Sequence, residues 1–350
     1  MAFISKTKNG TYAVGYRVNG KSKKRTFKDR ASAIRFRDVV NINPEQKQTK
    51  STVADLMLAY SKEVSAKKRG YRSEQIRLTA LASRPFAKLR ISKITKADMQ
   101  KFVDARLQEK SETSGETVAP STVIREVVML SAVFSWAKEQ GYILASPTKG
   151  LRLPKAPEHR ERVASSEDIE KLLIACGWDA TTPPENNVQT VIASFLFSCR
   201  TGMRSGEILQ LEESWIDGKV IHLPASATKT GTHRDVAIGK DAMKILNLVR
   251  QANGEELFSM RAEMRDALFR KVRDRAGLGA AIDSKGNVIK EGLHFHDARA
   301  TFATWAASID PKTGVPRLDV MALARQTGHR DLKMLMRYYR KTAKEIAELL

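Results

Sequence analysis

The sequence predicts a mainly helical protein with small β elements, laid out in three parts, and three observations point there. Apolar residues at helical spacing, framed by capping signals, recur from residue 51 onward. Period-two alternation is confined to the amino terminus and to "WIDGKVIHLPASATKTGTHRDVAI". The stretch "LRLPKAPEHRERVASSED" mixes prolines with charges before a fresh helix start at Ser165 or Ser166, which makes it the clearest boundary. The parts are residues 1–45, a small sheet plus helix; 51–150, a helical bundle; and 163–350, a mixed α+β domain.

In the first part, Tyr12, Val14, Tyr16 and Val18 alternate like a half-buried strand, Asn19-Gly20 supplies a turn, and "KSKKRTF" returns as a second strand. A helix follows Asp29 with Ala33, Phe36 and Val40 on one face and Arg30, Arg35 and Arg37 elsewhere. Residues 1–50 carry 13 Lys or Arg against 3 Asp or Glu, a net +10 out of +22 for the whole chain. Such density fits either a solvated basic arm or a module that lays basic strands on nucleic acid, with Arg17, Lys21, Lys23, Lys24 and Arg25 as contacts; the strand pattern favours the module.

After the linker "NINPEQKQTK", Thr52 with Asp55 opens one helix, "TKADMQKFVDARLQ" is a second, and "APSTVIREVVMLSAVFSWAKEQG" is a third that stops at Gly141. Lys67, Lys68, Arg69, Arg72 and Arg77 are either a solvated face or a track along a phosphate backbone.

The chain's 61 Lys or Arg against 39 Asp or Glu imply a polyanionic partner, nucleic acid before a membrane surface, because no apolar run approaches the roughly 20 residues of a spanning helix. Cys176 and Cys199 form neither a disulfide framework nor a thiolate metal site. The start, "MAFISKTKNGTY", lacks the apolar core of a secretion signal, so a cytoplasmic location is expected.

Chemistry-bearing residues gather in the third part. In "FSCRTGMRSGEILQLE" a Gly-x-Arg turn opens a helix, and Glu207 lies three positions after Arg204, close enough to orient its guanidinium. In "LHFHDARATFATWAA" His296 and Arg299 stand one helical turn apart. His294 with His296 invites a metal reading, but no carboxylate or thiolate cluster at ligand spacing accompanies them, so no metal is expected. Lys229 sits between two strand-like runs, where a hairpin tip can carry it into a cleft. His329 precedes a helix capped by Asp331.

On that helix Leu332, Leu335, Met336 and Tyr339 form the buried stripe, which makes Tyr339 the packing residue. Tyr338 then lies about 110° from the stripe's centre, on its flank, where a phenol can reach a cleft. A tyrosine, two arginines, two histidines and a lysine on a strongly basic chain suit phosphoryl transfer through a covalent phosphotyrosine. Phenolate is the nucleophile and two guanidiniums clamp the phosphate in place of metal ions; histidine handles the phenol proton, and lysine can protonate the departing 5′-oxygen.

The order Arg, Lys, HxxR, His, Tyr resembles the tyrosine recombinase family, phage-integrase type. The matching boxes are "TGMRSGEIL", "TKTGTHRDVAI", "HFHDARATFAT" and "TGHRDLKMLMRYY", with Tyr338 nine residues after His329, the family's usual spacing. "SKITKADMQKFVDARL" and the helix after it are similar to the family's core-binding, SAM-like domain, and the front is similar to an arm-binding module. The resemblance implies that Arg204 and Arg299 hold the scissile phosphate, His296 acts as acid or base for Tyr338, Lys229 is the general acid, His329 donates a hydrogen bond to the phosphate, and Glu207 buttresses Arg204. Ala300 departs from the histidine often found after the second arginine. The resemblance further implies a monomer in solution that forms a tetramer on two specific DNA sites, strand exchange through a Holliday junction and no cofactor; whether DNA-bending or directionality factors take part is not written in the sequence. "KTAKEIAELL", with Ala343, Ile346, Ala347 and Leu350 on one face, either caps its own domain or passes to a neighbouring subunit. Two rivals share the residues: a type IB topoisomerase-like enzyme, and a DNA-binding protein that has lost the chemistry.

Overall fold

The structure, a computed structural model, describes residues 2–7, 9–18, 21–41, 51–111, 115–156, 160, 162–282 and 288–339. It divides into two compact units, Met1–His159 and Arg160–Leu350. No helix among the described residues is long and apolar enough to cross a membrane.

The first unit begins with an antiparallel sheet, β1 (Phe3–Lys6), β2 (Tyr12–Val18) and β3 (Lys21–Phe27), followed by α1 (Arg30–Asn41). Val14 and Ala33 are fully buried between sheet and helix, with Tyr16, Phe27 and Phe36 packed around them. The Asn19-Gly20 turn and most of the linker lie outside the described residues, as do the side chains of Arg17, Lys21, Arg35 and Val40.

Four helices follow: α2 (Val53–Glu63), α3 (Tyr71–Ala82), α4 (Lys96–Gln108) and α5 (Pro120–Glu139). Thr52 with Asp55 and Thr95 with Asp98 each form a reciprocal capping box, and Gly141, at φ +77°, takes the left-handed conformation after α5. The expectation named three helices here; α3 is the fourth. Only Leu78 and Leu81 of α3 are buried, so its sequence carries little apolar periodicity to read. The core closes around Met57, Met99, Leu130 and Phe134.

The second unit opens at α6 (Ser166–Cys176), capped by Ser165 with Asp168. Its axis is α7 (Asn187–Thr201), in which every residue from Gln189 to Cys199 is buried. A helix apolar on all sides must be surrounded, and α6, α9 (Lys240–Asn253), α10 (Ala262–Arg275) and α11 (Asp297–Ala307) pack against it. Phe195, Phe269 and Phe295 cluster in the middle, mostly edge to face, with ring centroids 5.0–5.6 Å apart. The one-turn α8 (Ser205–Ile208) follows α7. Then come β4 (Ile216–Asp217), β5 (Val220–Leu223) and β6 (Arg234–Ala237), the small antiparallel sheet expected from the alternation, and a later pair, β7 (Ala281–Ile282) with β8 (Val288–Lys290). Near the carboxy terminus α12 (Val320–Thr327) and α13 (Lys333–Met336) pack with α11 around Phe302, Leu323 and Leu335.

Candidate active site

Four chain reversals in the second unit present the polar groups. At the end of α7, Gly202 adopts φ +67°, and a Cβ there would come within 2.5 Å of the Phe302 ring, so only glycine lets α11 approach so closely. Two residues on, Arg204 is held from both ends by the buried Glu207. The Arg204 backbone N–H donates to Glu207 Oε2 at 2.8 Å and its Nη1 to Oε1 at 2.9 Å, while Nη2 donates to the Gly328 carbonyl at 3.2 Å. The three-residue spacing thus produces a fixed guanidinium.

His296 directly precedes α11, and Arg299 lies one turn into it. Asp297 is buried, accepts the His294 N–H at 2.8 Å and pairs with Arg160 at 3.0 Å, which fixes the start of the helix. Arg299 is only 5% exposed and donates to the carbonyls of Gly202 and Thr327. Burial first, then the charges of Arg204 and Arg234, pull its pKa down to about 9.

α12 ends at Gly328, φ +67°, and turns His329 inward. The Thr327 hydroxyl donates its single proton to the Leu323 carbonyl at 2.5 Å, so its 2.7 Å contact with His329 Nδ1 assigns the imidazole proton to Nδ1 and leaves Nε2 as an acceptor. Burial, with Arg299 and Arg204, lowers the His329 pKa to about 4. The His296 pKa is also lowered, by burial and Arg299, with Arg204 and Lys229 contributing. Both rings are neutral at pH 7.

Lys229 is exposed in the ten-residue connection between β5 and β6, which is tied internally by Thr228 and held at its tip by Arg330, through the Thr230 carbonyl and the Thr232 hydroxyl. Its charge lowers the His296 pKa, and an ionised Tyr338 lies close enough to raise that of Arg299. One electrostatic neighbourhood therefore contains Arg204, Lys229, His296, Arg299, His329 and Tyr338.

The two tyrosines differ. Tyr339 donates its hydroxyl to the Leu318 carbonyl at 2.7 Å, and burial raises its pKa to about 12. Tyr338, half-buried beside Arg337, has no hydrogen bond to its hydroxyl among the described residues. The expected helical stripe needs correcting, because α13 spans one turn: Leu335 is buried, whereas Leu332 and Met336 are exposed. The cap is Leu332 rather than the expected Asp331, although Asp331, one residue earlier, still accepts the Lys333 N–H at 2.9 Å. The segment "KTAKEIAELL" lies outside the described residues.

Sequence reasoning missed Arg234 and Gln326. Arg234 donates to Glu207 Oε2 at 2.5 Å and to the Gln326 carbonyl, while the Gln326 side chain bridges the Thr201 and Ala237 carbonyls at 2.9 and 3.0 Å. The RDVA alternation of β6 was the only available signal, and it reads equally well as an exposed polar edge. His294 and His296 gain no third donor among the described residues. The grouping that does form, His222, His233 and Asp235 with donor atoms within 4.8 Å, lies exposed on the outer face of β5 and β6.

In the first unit the expected basic contacts do not share one surface. Strand register sets Lys23 opposite Tyr16 and Arg25 opposite Val14, on the face that carries α1, and Arg25 lies over the rings of Phe27 and Phe36 at 5.6 and 5.1 Å. Lys24, opposite Gly15, is on the other face. Lys68 is engaged by Glu74 and the Tyr60 hydroxyl at 2.7 and 2.8 Å; Lys67, Arg69 and Arg72 are exposed.

The chain is similar to known proteins over most of its length. Residues 164–345, just over half of the chain, match the model of the phage integrase family. A Haemophilus influenzae protein described as an integrase/recombinase is 34% identical over 295 residues, covering 82% of this chain and 72% of its own. The shufflon-specific DNA recombinase of Escherichia coli is 28% identical over 84% of this chain and 70% of its own. A lambda integrase tetramer bound to a Holliday junction superposes with a TM-score of 0.60 at 17% identity, covering 94% of this chain and 95% of the other. By sequence over both matched spans, and with the fold in agreement, the chain belongs to the phage integrase family.

Proposed function

We propose that the protein is a site-specific DNA recombinase that breaks and rejoins strands through a 3′-phosphotyrosine. The observation that carries this is the charge balance of the site: Arg204 and Arg234 pair with the buried carboxylate of Glu207, Arg299 stands within their electrostatic reach bonded only to backbone carbonyls, and the net positive charge suits a phosphate beside a neutral histidine and an uncommitted phenol. Arg204 and Arg299 hold the non-bridging oxygens. His296, uncharged at neutral pH, accepts the Tyr338 proton as the phenol oxygen attacks phosphorus; the bond to the 5′-oxygen breaks, and Lys229 supplies the proton that oxygen needs. With its proton on Nδ1, His329 donates to the phosphate through Nε2 only after taking up a second proton, which the incoming anion favours. Attack by a 5′-hydroxyl from another strand reverses the chemistry and releases Tyr338, so the bond energy is conserved and no nucleotide is consumed. The solved tetramer of lambda integrase on a Holliday junction supports the same assembly here, on two specific duplex sites.

The test uses the full chain and a nicked suicide duplex built from the inverted half-sites flanking its gene. Tyr338→Phe is expected to bind DNA and form no adduct. Tyr339→Phe keeps the adduct and loses about 1 kcal/mol of stability with its hydrogen bond. Loss of attachment in Tyr339→Phe but not in Tyr338→Phe would reverse the assignment. An absence of adduct from wild-type protein on every substrate would leave a DNA-binding protein without the chemistry, and plasmid relaxation without a second site would favour the topoisomerase-like alternative.

A further inference from the structure

Arg234 is a costly side chain to bury. Its side chain is 9% exposed, it stands beside two other guanidiniums, and its Nε has no hydrogen-bond partner. Merely neutralising Glu207 would not need it, because Arg204 already does so from the same turn. Its contacts suggest another use. Nη2 reaches Glu207 Oε2, the oxygen that also accepts the Arg204 backbone N–H. Nη1 reaches the carbonyl of Gln326, three residues before His329. The side chain lies flat on Gly328, where a Cβ would come within 2.7 Å of Arg234 Cδ, so the turn that presents His329 is shaped around this arginine. Arg234 itself opens β6, five residues after Lys229.

We infer that Arg234 is a positioning residue which, through Glu207 and the 326–329 turn, sets where Arg204 and His329 stand relative to each other around the phosphate. It touches no reacting atom; it holds two groups that do. A forked donor is required because the two acceptors lie on separate segments, and a lysine ammonium, a point charge, cannot span both with the same geometry. The inference rests on the phosphotyrosine reading above.

Arg234→Lys and Arg234→Ala in the full chain test it, on the same nicked duplex, with saturating DNA and well below each variant's melting temperature. Expected in both is a single-turnover attachment rate about 100-fold below wild type, the penalty typical of slight misplacement, with DNA affinity within about threefold. Guanidinium ion added to Arg234→Ala is expected to restore part of the rate, an effect that a purely structural role would not show. Should Arg234→Ala fail to melt cooperatively, Arg234→Lys carries the test, since it keeps the buried charge and a donor for Glu207. Variants that attach at the wild-type rate overturn the inference while the phosphotyrosine reading stands. Absence of a wild-type adduct overturns both.

Discussion

Two arginine clusters in this chain obey opposite rules. In the helical part of the first unit, Arg84, Glu109, Arg106 and Glu126 form a chain of ion pairs at 2.5, 2.5 and 3.0 Å, two charges of each sign. The hydrogen bond to Glu126 raises the Arg106 pKa, so the site favours its own cation. In the second unit, Arg204 and Arg234 pair with the single carboxylate of Glu207, Arg299 bonds only to backbone carbonyls within their electrostatic reach, and its pKa falls to about 9. A balanced cluster is complete as it stands. An unbalanced one leaves positive charge for an anion to answer, which is the physical difference on which the proposed phosphate site rests.

The contrast can be broken experimentally. Arg299→Gln is expected to slow covalent attachment by roughly 100- to 1,000-fold, the scale of losing one donor to a developing charge; a loss below about tenfold would mean that Arg299 does not hold the phosphate. Arg106→Gln should do the reverse, destabilising its own unit by about 1–3 kcal/mol because Glu126 and Glu109 lose a partner, while the folded protein attaches at the wild-type rate at saturating DNA. A rate defect there would erase the distinction between the clusters.

Acid sharpens it further. The folded pKa of His329 is about 4, below the ordinary 6.5, so the unfolded chain binds the proton more tightly. The stability held by the neutral ring is therefore fully present above pH 6.5 and is lost as pH falls towards 4, on the order of 1–3 kcal/mol after allowance for solvent screening. The first unit contains a single histidine, His159, so chemical denaturation across this window should weaken the second unit, and His329→Gln should flatten the slope. An unchanged slope would place the lability elsewhere.

Local rules were legible from sequence. The capping residues of α2, α4 and α6 announce themselves within four positions, and so do the turn between His296 and Arg299 and the clamp from Glu207 to Arg204, because each is a helix-geometry relation. What escaped depends on partners far along the chain. Arg234 meets Glu207 across 27 residues and Gln326 across 92, and a strand of four residues gives no hint which edge will be covered. The stripe through Leu332 and Met336 failed because it assumed a helix of several turns where the chain makes one. The basic β3 strand misled differently: its period of two sends Lys23 and Arg25 to the helix-covered face and Lys24 to the other, which residue counting alone does not separate.

Gly202 and Gly328 carry a consequence for inheritance. Neither bears a functional group, yet a single-base change to alanine at either would drive a methyl into Phe302 or Arg234, at 2.5 and 2.7 Å, in a backbone conformation that alanine resists. Genetic screens for inactive alleles should therefore recover these two codons beside that of Tyr338, and a lineage released from its chemistry would be free to fill both gaps.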